Sequence, residues 1–288
     1  MSTIGIVGVG LMGHGIASSL QRNGWKIGFV DHPGNQPTAD LLAAGAWSVE
    51  SPAALAERCE TIILCVTGTP QVEAVLTGEK GVIAGMSPGT VVIDCSTTVP
   101  GSTKKMAALI EAAGGAMLDA PMTRTPKEAA EGRLNLIVGG DKNLFVEKLP
   151  ILQGFAENIA YAGGIGSGHA LKLLHNFVSL GFSAVLCEAA AAASKAGVDP
   201  TVFHDVLDHG GGAGVVLDRL TPFILDGEFG SFRFTLANSA KDLDYYCKMA
   251  SDLEAVSTVA NAVSSTYASE VAKGNEARFV PELIELLK

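Results

Sequence analysis

Three glycines, Gly8, Gly10 and Gly13, stand in the spacing Gly-x-Gly-x-x-Gly within "VGVGLMGHG". An apolar run precedes them and a helical pattern follows, so the expected unit is strand, tight turn, helix. In that setting the first glycine permits the turn, the second lets a pyrophosphate approach the backbone, and the third lets helix and strand pack closely. The free N–H groups at the helix start then face the phosphates. A plain strand–helix turn is the competing reading. The next apolar run ends in Asp31, and no Arg or Lys follows before Arg58. An acid there accepts both hydroxyls of an adenine ribose and repels a 2′-phosphate, which favours NAD over NADP. The alternative is an acid that only caps the turn "DHPGN".

A second group of chemical residues lies in "GIGSGHALKLLHN". Gly164, Gly166 and Gly168 break the chain, and the helix after them puts Lys172 and Asn176 one turn apart on one face. His169 shares that face. A lysine near a helix N-terminus, partly desolvated, has its uncharged form favoured. It can pass a proton to an alkoxide as hydride arrives, or take one in the reverse direction. Asn176 is placed to orient a substrate hydroxyl or the lysine. His169 and His175 read most simply as packing or capping residues.

A third group lies in "DAPMTRTPKEAAEGRL", Asp119 to Leu134. Small and hydroxylated residues follow a strand end, with Arg124 among them. A guanidinium offers a rigid fork of donors suited to paired oxygens, so Arg124 is expected to meet the anionic tail of a small substrate. The competing reading pairs Arg124 with Glu128 or Glu131 on the next short helix.

The elements that must carry these residues follow from periodicity. Seven apolar runs are expected as strands: Thr3–Val9, Lys26–Asp31, Thr61–Val66, Thr90–Ser96, Ala116–Ala120, Leu134–Gly140 and Asn158–Gly163. Most are continuous rather than alternating, as in strands covered on both faces, and helical stretches such as Leu11–Asn23 and Gly101–Ala113 separate them. The expectation is an α/β Rossmann-type doubly wound sheet. Past Gly168 no strand is expected. Helices are expected over His169–Ala196, Pro200–Leu207, Gly214–Leu225, Leu236–Leu253, Ser257–Lys273 and Val280–Leu287. Two domains result: residues 1–163, dinucleotide-binding, and residues 164–288, an all-α domain for substrate binding and dimerisation.

Composition narrows the partners. The 288 residues carry 30 acidic and 20 basic side chains, a formal charge of −10, which argues against nucleic acid. Five scattered cysteines show no CxxC spacing, Cys65 and Cys95 in apolar runs suggest buried thiols in a reducing compartment, and no zinc-like cluster of Cys and His is present. No signal peptide is expected at "MSTIGIVGVG", and no segment is expected to reach the length of a membrane span. The expectation is a soluble, cytoplasmic protein with no membrane partner. The apolar helix over Leu171–Ala196 suggests a homodimer or homotetramer.

Together these segments resemble the β-hydroxyacid dehydrogenases, the 3-hydroxyisobutyrate dehydrogenase-like family, over the whole chain. "GIVGVGLMGHGIASSL" is similar to the family's cofactor loop and "IDCSTTVP" to its Asp-x-Ser-Thr segment near the nicotinamide. "GSGHALKLLHN" is similar to its Gly-x-Gly-x-x-x-Lys-x-x-x-Asn signature, and "AKDLDY" to its C-terminal Lys-Asp-Leu. The resemblance implies NAD-dependent oxidation of a small hydroxy acid, or the reverse reduction, in a crevice between two domains, with Lys172 and Asn176 catalytic and no metal. It implies cofactor contacts from Gly8, Gly10, Leu11, Met12, Gly13 and Asp31, from Cys65, Val66 and Thr67, and from Ser96, Thr97 and Lys241. It implies substrate contacts from Ser96, Thr123, Arg124, Thr125, His175, Asn176 and Lys241. One segment departs: where the family commonly has Val-Ser-Gly-Gly, this chain has Met122-Thr123-Arg124-Thr125. Arg124-Thr125 resembles instead the sulfolactaldehyde reductase branch, where a Gly-Arg-Thr segment holds a sulfonate. That points to a sulfonate such as 3-sulfolactaldehyde, with 3-hydroxyisobutyrate, succinic semialdehyde and tartronate semialdehyde as the carboxylate alternatives. Outside enzymes, a non-catalytic dinucleotide-binding module is the remaining reading.

Overall fold

Alternate residues of a strand point to opposite faces, so a continuous apolar strand must feed two cores. The computed structural model, which describes residues 3–229 and 232–288, has this arrangement. Ile62 and Leu64 enter one buried cluster with Val92 and Met117, while Ile63, Ile93 and Leu118 enter another with Ile4, Ile6 and Phe29. Two compact units divide the chain, one up to Lys172 and one from Leu173.

The first unit runs β1 Thr3–Val7, α1 Leu11–Arg22, β2 Lys26–Val30, α2 Ala39–Ala43, β3 Trp47–Val49, α3 Pro52–Ala56 and β4 Thr61–Leu64. It continues α4 Thr69–Thr77, α5 Val82–Gly85, β5 Val91–Asp94, α6 Pro100–Ala112, β6 Ala116–Asp119, β7 Met122–Thr123 and α7 Pro126–Glu131. Then come β8 Leu134–Gly139, α8 Lys142–Leu152, β9 Ala156–Gly163 and α9 Ser167–Lys195, which continues into the second unit. The strand order is β3-β2-β1-β4-β5-β6-β8-β7, with β9 beside β8. Strands β3 to β6 form a parallel, doubly wound sheet, as expected.

Two strands depart from the expectation. β3 holds only three residues at the sheet edge, paired with β2, and the Trp47 ring lies over Gly28, where an added Cβ would come within 2.4 Å. β7 holds two residues and pairs antiparallel with β8, which also meets β6 antiparallel at Asp119 and Gly139. So short an element carries no periodicity, and its partner alone makes it a strand.

The second unit holds the rest of α9, then α10 Pro200–Asp208, α11 Val215–Asp226, α12 Leu236–Asp252 and α13 Thr258–Ala272, and ends in a 3-10 turn, Val280–Glu282, and α14 Leu283–Leu286. A single helix over Val280–Leu287 was the expectation. Thr235 and Phe279 form one isolated antiparallel bridge, the only extended pairing there among the described residues. Leu180, Cys187, Leu217, Leu236, Leu243 and Tyr267 build its core. The expectation that no segment reaches span length needs correction: α9, at 29 residues, is long and apolar enough by composition. Its Leu180, Ala184, Leu186, Cys187 and Ala190 are spent on the core of the second unit.

Candidate active site

The glycine loop has the shape of a phosphate cradle. Gly8 sits at φ +94°, and a Cβ there would come within 2.3 Å of the Cys65 carbonyl oxygen. A Cβ on Gly13 would lie 2.0 Å from the Gly8 carbonyl oxygen, so helix and turn touch backbone to backbone. At Gly10 nothing lies within 4 Å of the Cβ position. Gly10 is also the N-cap of α1 and supplies no side-chain cap, which leaves the first-turn N–H groups of Leu11, Met12 and Gly13 facing an open approach. These residues fit a dinucleotide pyrophosphate.

Asp31 follows β2 with its side chain exposed and its N–H donating to the Val49 carbonyl at 2.8 Å. Asn35 stitches the loop after it to the glycine loop: Val9 N–H donates to Asn35 Oδ1 at 3.2 Å, and Asn35 Nδ2 donates to the Val30 carbonyl at 3.0 Å. On the neighbouring strand ends, Val66 N–H donates to Ser96 Oγ at 3.0 Å and Ser96 N–H to Asp94 Oδ1 at 2.9 Å. Thr97 is half-buried and Thr67 exposed. Burial pushes the Cys65 thiol up to about 12 and the Cys95 thiol well above its ordinary range.

The segment after β6 is fixed at both ends. Asp119 is buried and accepts from Gly166 N–H at 2.7 Å and His169 N–H at 2.8 Å, which anchors the start of α9. Thr123 Oγ1 accepts from Asn135 Nδ2 at 3.1 Å. Arg124 adopts φ 83°, the left-handed region that favours glycine. Its guanidinium donates to the Glu157 carboxylate on β9 and to the Arg133 carbonyl. The Arg124 hydrogen bond holds the Glu157 carboxyl below its ordinary range. Neither Glu128 nor Glu131 is the partner: Glu128 accepts from Thr125, the N-cap of α7, and Glu131 from Arg133 at 3.2 Å.

In the second unit, Asn176 Nδ2 donates to Asp242 Oδ2 at 2.6 Å, and His175 Nδ1 lies 3.0 Å from Asn176 Oδ1. Asp242 Oδ1 lies 2.9 Å from Lys241 Nζ and has no further hydrogen bond among the described residues. His175, Asn176, Asp242 and Lys241 thus form one polar chain. Asp242 is the member that sequence reasoning passed over. Its signal was the acid beside Lys241 in "AKDLDY". Lys172 is half-buried on α9, one turn before Asn176.

Comparison with known proteins gives the family of both parts of the chain. Residues 3–163 match the family described as the NAD binding domain of 6-phosphogluconate dehydrogenase. Residues 166–287 match that described as NAD-binding of NADP-dependent 3-hydroxyisobutyrate dehydrogenase. The 2-hydroxy-3-oxopropionate reductase of Escherichia coli is 35% identical over 84% of this chain and 82% of its own. The 3-sulfolactaldehyde reductase of the same organism is 35% identical over 66% of this chain and 63% of its own, so similarity does not single out the sulfonate branch. A solved 3-hydroxyisobutyrate dehydrogenase from Salmonella typhimurium superposes with a TM-score of 0.85 at 28% identity, covering 99% of this chain and all of that one. The chain therefore belongs to the 3-hydroxyisobutyrate dehydrogenase family of β-hydroxyacid dehydrogenases, NAD(P)-dependent oxidoreductases that act on CH–OH groups.

Proposed function

We propose that this protein uses NAD(H) to interconvert a short, anionic hydroxy acid and its semialdehyde. The observation that carries the reading is Lys172 and Asn176 one turn apart on α9, with Asn176 held by buried Asp242, in a chain that opens on a phosphate cradle. When bound, NADH supplies hydride from its nicotinamide C4 to the substrate carbonyl carbon. Lys172 gives its proton to the resulting alkoxide oxygen, and its amine removes that proton in the reverse direction. Asn176 spends one N–H on Asp242 and has a second to orient the substrate hydroxyl.

Thr123, Ser96 and Lys241 provide hydroxyl and ammonium groups for the anionic tail. Arg124 is the further cation, and Thr125 flanks it. Arg124 reaches a substrate anion by exchanging Glu157, an exposed partner whose loss costs little. Asp31 favours NAD over NADP because its carboxylate is exposed at the end of β2. Exposed Leu174, Val178 and Val185 on α9 favour self-association.

The test is NADH oxidation across short aldehydes. Tartronate semialdehyde and succinic semialdehyde carry a carboxylate, 3-sulfolactaldehyde a sulfonate, and a neutral aldehyde of equal size neither. Turnover of an anionic semialdehyde well above the neutral one is expected. The Arg124-Thr125 segment makes the sulfonate the informative arm. Lys172→Ala is expected to lower kcat about 10²–10⁴-fold with NADH affinity kept. NADH binding without turnover of any aldehyde would leave a non-catalytic dinucleotide module.

A further inference from the structure

His169 lies fully buried in the first turns of α9, three residues before Lys172. The reaction makes no direct use of it, yet its ring is bound on both sides. Nε2 lies 3.1 Å from the Ser96 carbonyl oxygen. A carbonyl only accepts, so Nε2 carries a proton and donates. Nδ1 lies 2.7 Å from Thr103 Oγ1 on α6. The Thr103 hydroxyl also lies within 3.3 Å of the Val99 carbonyl oxygen, to which it can donate. Two buried carboxylates flank the ring, Asp94 Oδ2 at 3.8 Å from Nε2 and Asp119 Oδ2 at 3.8 Å from Nδ1. Asp119 also receives the His169 backbone N–H.

We propose that His169 is a positioning residue for the reaction: its ring braces the first turns of α9 against Ser96 and Thr103 and so sets where Lys172 presents its amine. The proposal rests on Lys172 being the acid/base. The backbone bonds to Asp119 fix where α9 begins. A helix start held only there can still roll about its axis, and a roll swings a side chain as long as lysine. The ring adds two contacts away from the helix axis, on two different elements, and these remove that freedom. The same ring grips the carbonyl of Ser96, whose hydroxyl we place against cofactor and substrate. One side chain therefore braces the lysine helix and the Ser96 segment against each other.

His169→Leu keeps much of the volume and removes both hydrogen bonds. Lys172 stays in place chemically but loses its alignment. Misplacement on the ångström scale costs up to about 10²-fold, so kcat is expected to fall about 10–100-fold. NADH affinity, read by fluorescence titration, is expected to hold, and the primary isotope effect with 4-deuterated NADH to rise as hydride transfer becomes limiting. His169→Gln offers an amide donor to Ser96 and should recover most of kcat. Thr103→Val removes the other contact from a separate helix. Its effect should vanish in a His169→Leu background, since both act through one ring. In cofactor-free enzyme, amide hydrogen exchange at residues 169–172 should accelerate in His169→Leu.

A His169→Leu enzyme with unchanged kcat and isotope effect, and only a lower melting temperature, overturns the proposal: the ring would then be packing alone. Should His169→Leu not fold, His169→Gln and Thr103→Val decide by the same measurements. If Lys172→Ala itself turns over normally, the acid/base reading falls. If Lys172→Ala is inactive while His169→Leu is normal, only the positioning role falls.

Discussion

Asn176 and Asp242 meet at 2.6 Å, with both side chains buried, so the amide on α9 points where a carboxylate on α12 holds it. A buried carboxylate is costly unless paired, and Lys241 Nζ at 2.9 Å completes the pairing. A hydrogen bond to a charged group contributes about 1.5–3 kcal/mol, or roughly 10–150-fold. Asp242→Ala is expected to lower kcat/KM by about that factor, with NADH affinity changed little. An Asp242→Ala enzyme that melts earlier but keeps full kcat/KM would make the pair purely structural.

Asp31 is the residue we propose to set cofactor choice. The wild-type enzyme is expected to show a higher kcat/KM with NADH than with NADPH. Asp31→Ala combined with His32→Arg removes the repelling carboxylate and adds a cation, so the ratio should move toward NADPH. Equal efficiency with both cofactors in the wild type would remove Asp31 as the discriminator.

Arg124 sets backbone strain against charge. A non-glycine residue in the left-handed region costs about 1–2 kcal/mol, and the exposed pair with Glu157 offsets little of that. Arg124→Ala keeps the strain and loses the pair, so it should be less stable than Arg124→Gly in urea unfolding. On anionic substrates both should lose about tenfold in kcat/KM, the lower end for a charged contact because Glu157 competes. Glu157→Gln should lower KM for the same substrates. Equal loss on neutral and anionic aldehydes would make Arg124 a structural residue.

Buried thiols limit alkaline stability. Burial pushes Cys65 and Cys187 up to about 12. Between the ordinary thiol range and that value the unfolded chain releases protons that the folded chain keeps, so stability falls as pH rises. Each such thiol contributes a slope of about 1.4 kcal/mol per pH unit within that window. Urea midpoints should be flat below pH 8 and decline above pH 9, and Cys65→Ala should flatten the decline. A midpoint independent of pH up to 10.5 would contradict the burial of these thiols.

The parts legible in the sequence are those whose physics is local. The glycine spacing, the continuous runs of β1, β2, β4 and β5, and the turn between Lys172 and Asn176 all follow from the geometry of a single element. What a side chain meets across the fold is not encoded that way. Asp242 lies 66 positions from Asn176, and Glu157 lies 33 from Arg124, closer partners in sequence being taken by Thr125 and Arg133. β3 and β7 exist because a neighbouring strand offers them hydrogen bonds, and α9 is a core helix because the second unit packs on its apolar residues. A histidine that composition leaves as packing becomes a brace once Ser96 and Thr103 close on its two nitrogens. Periodicity determines the elements and the candidate chemistry. The packing of elements distant in sequence decides the partner of each polar group, because burial without a partner costs more than any local propensity can offset.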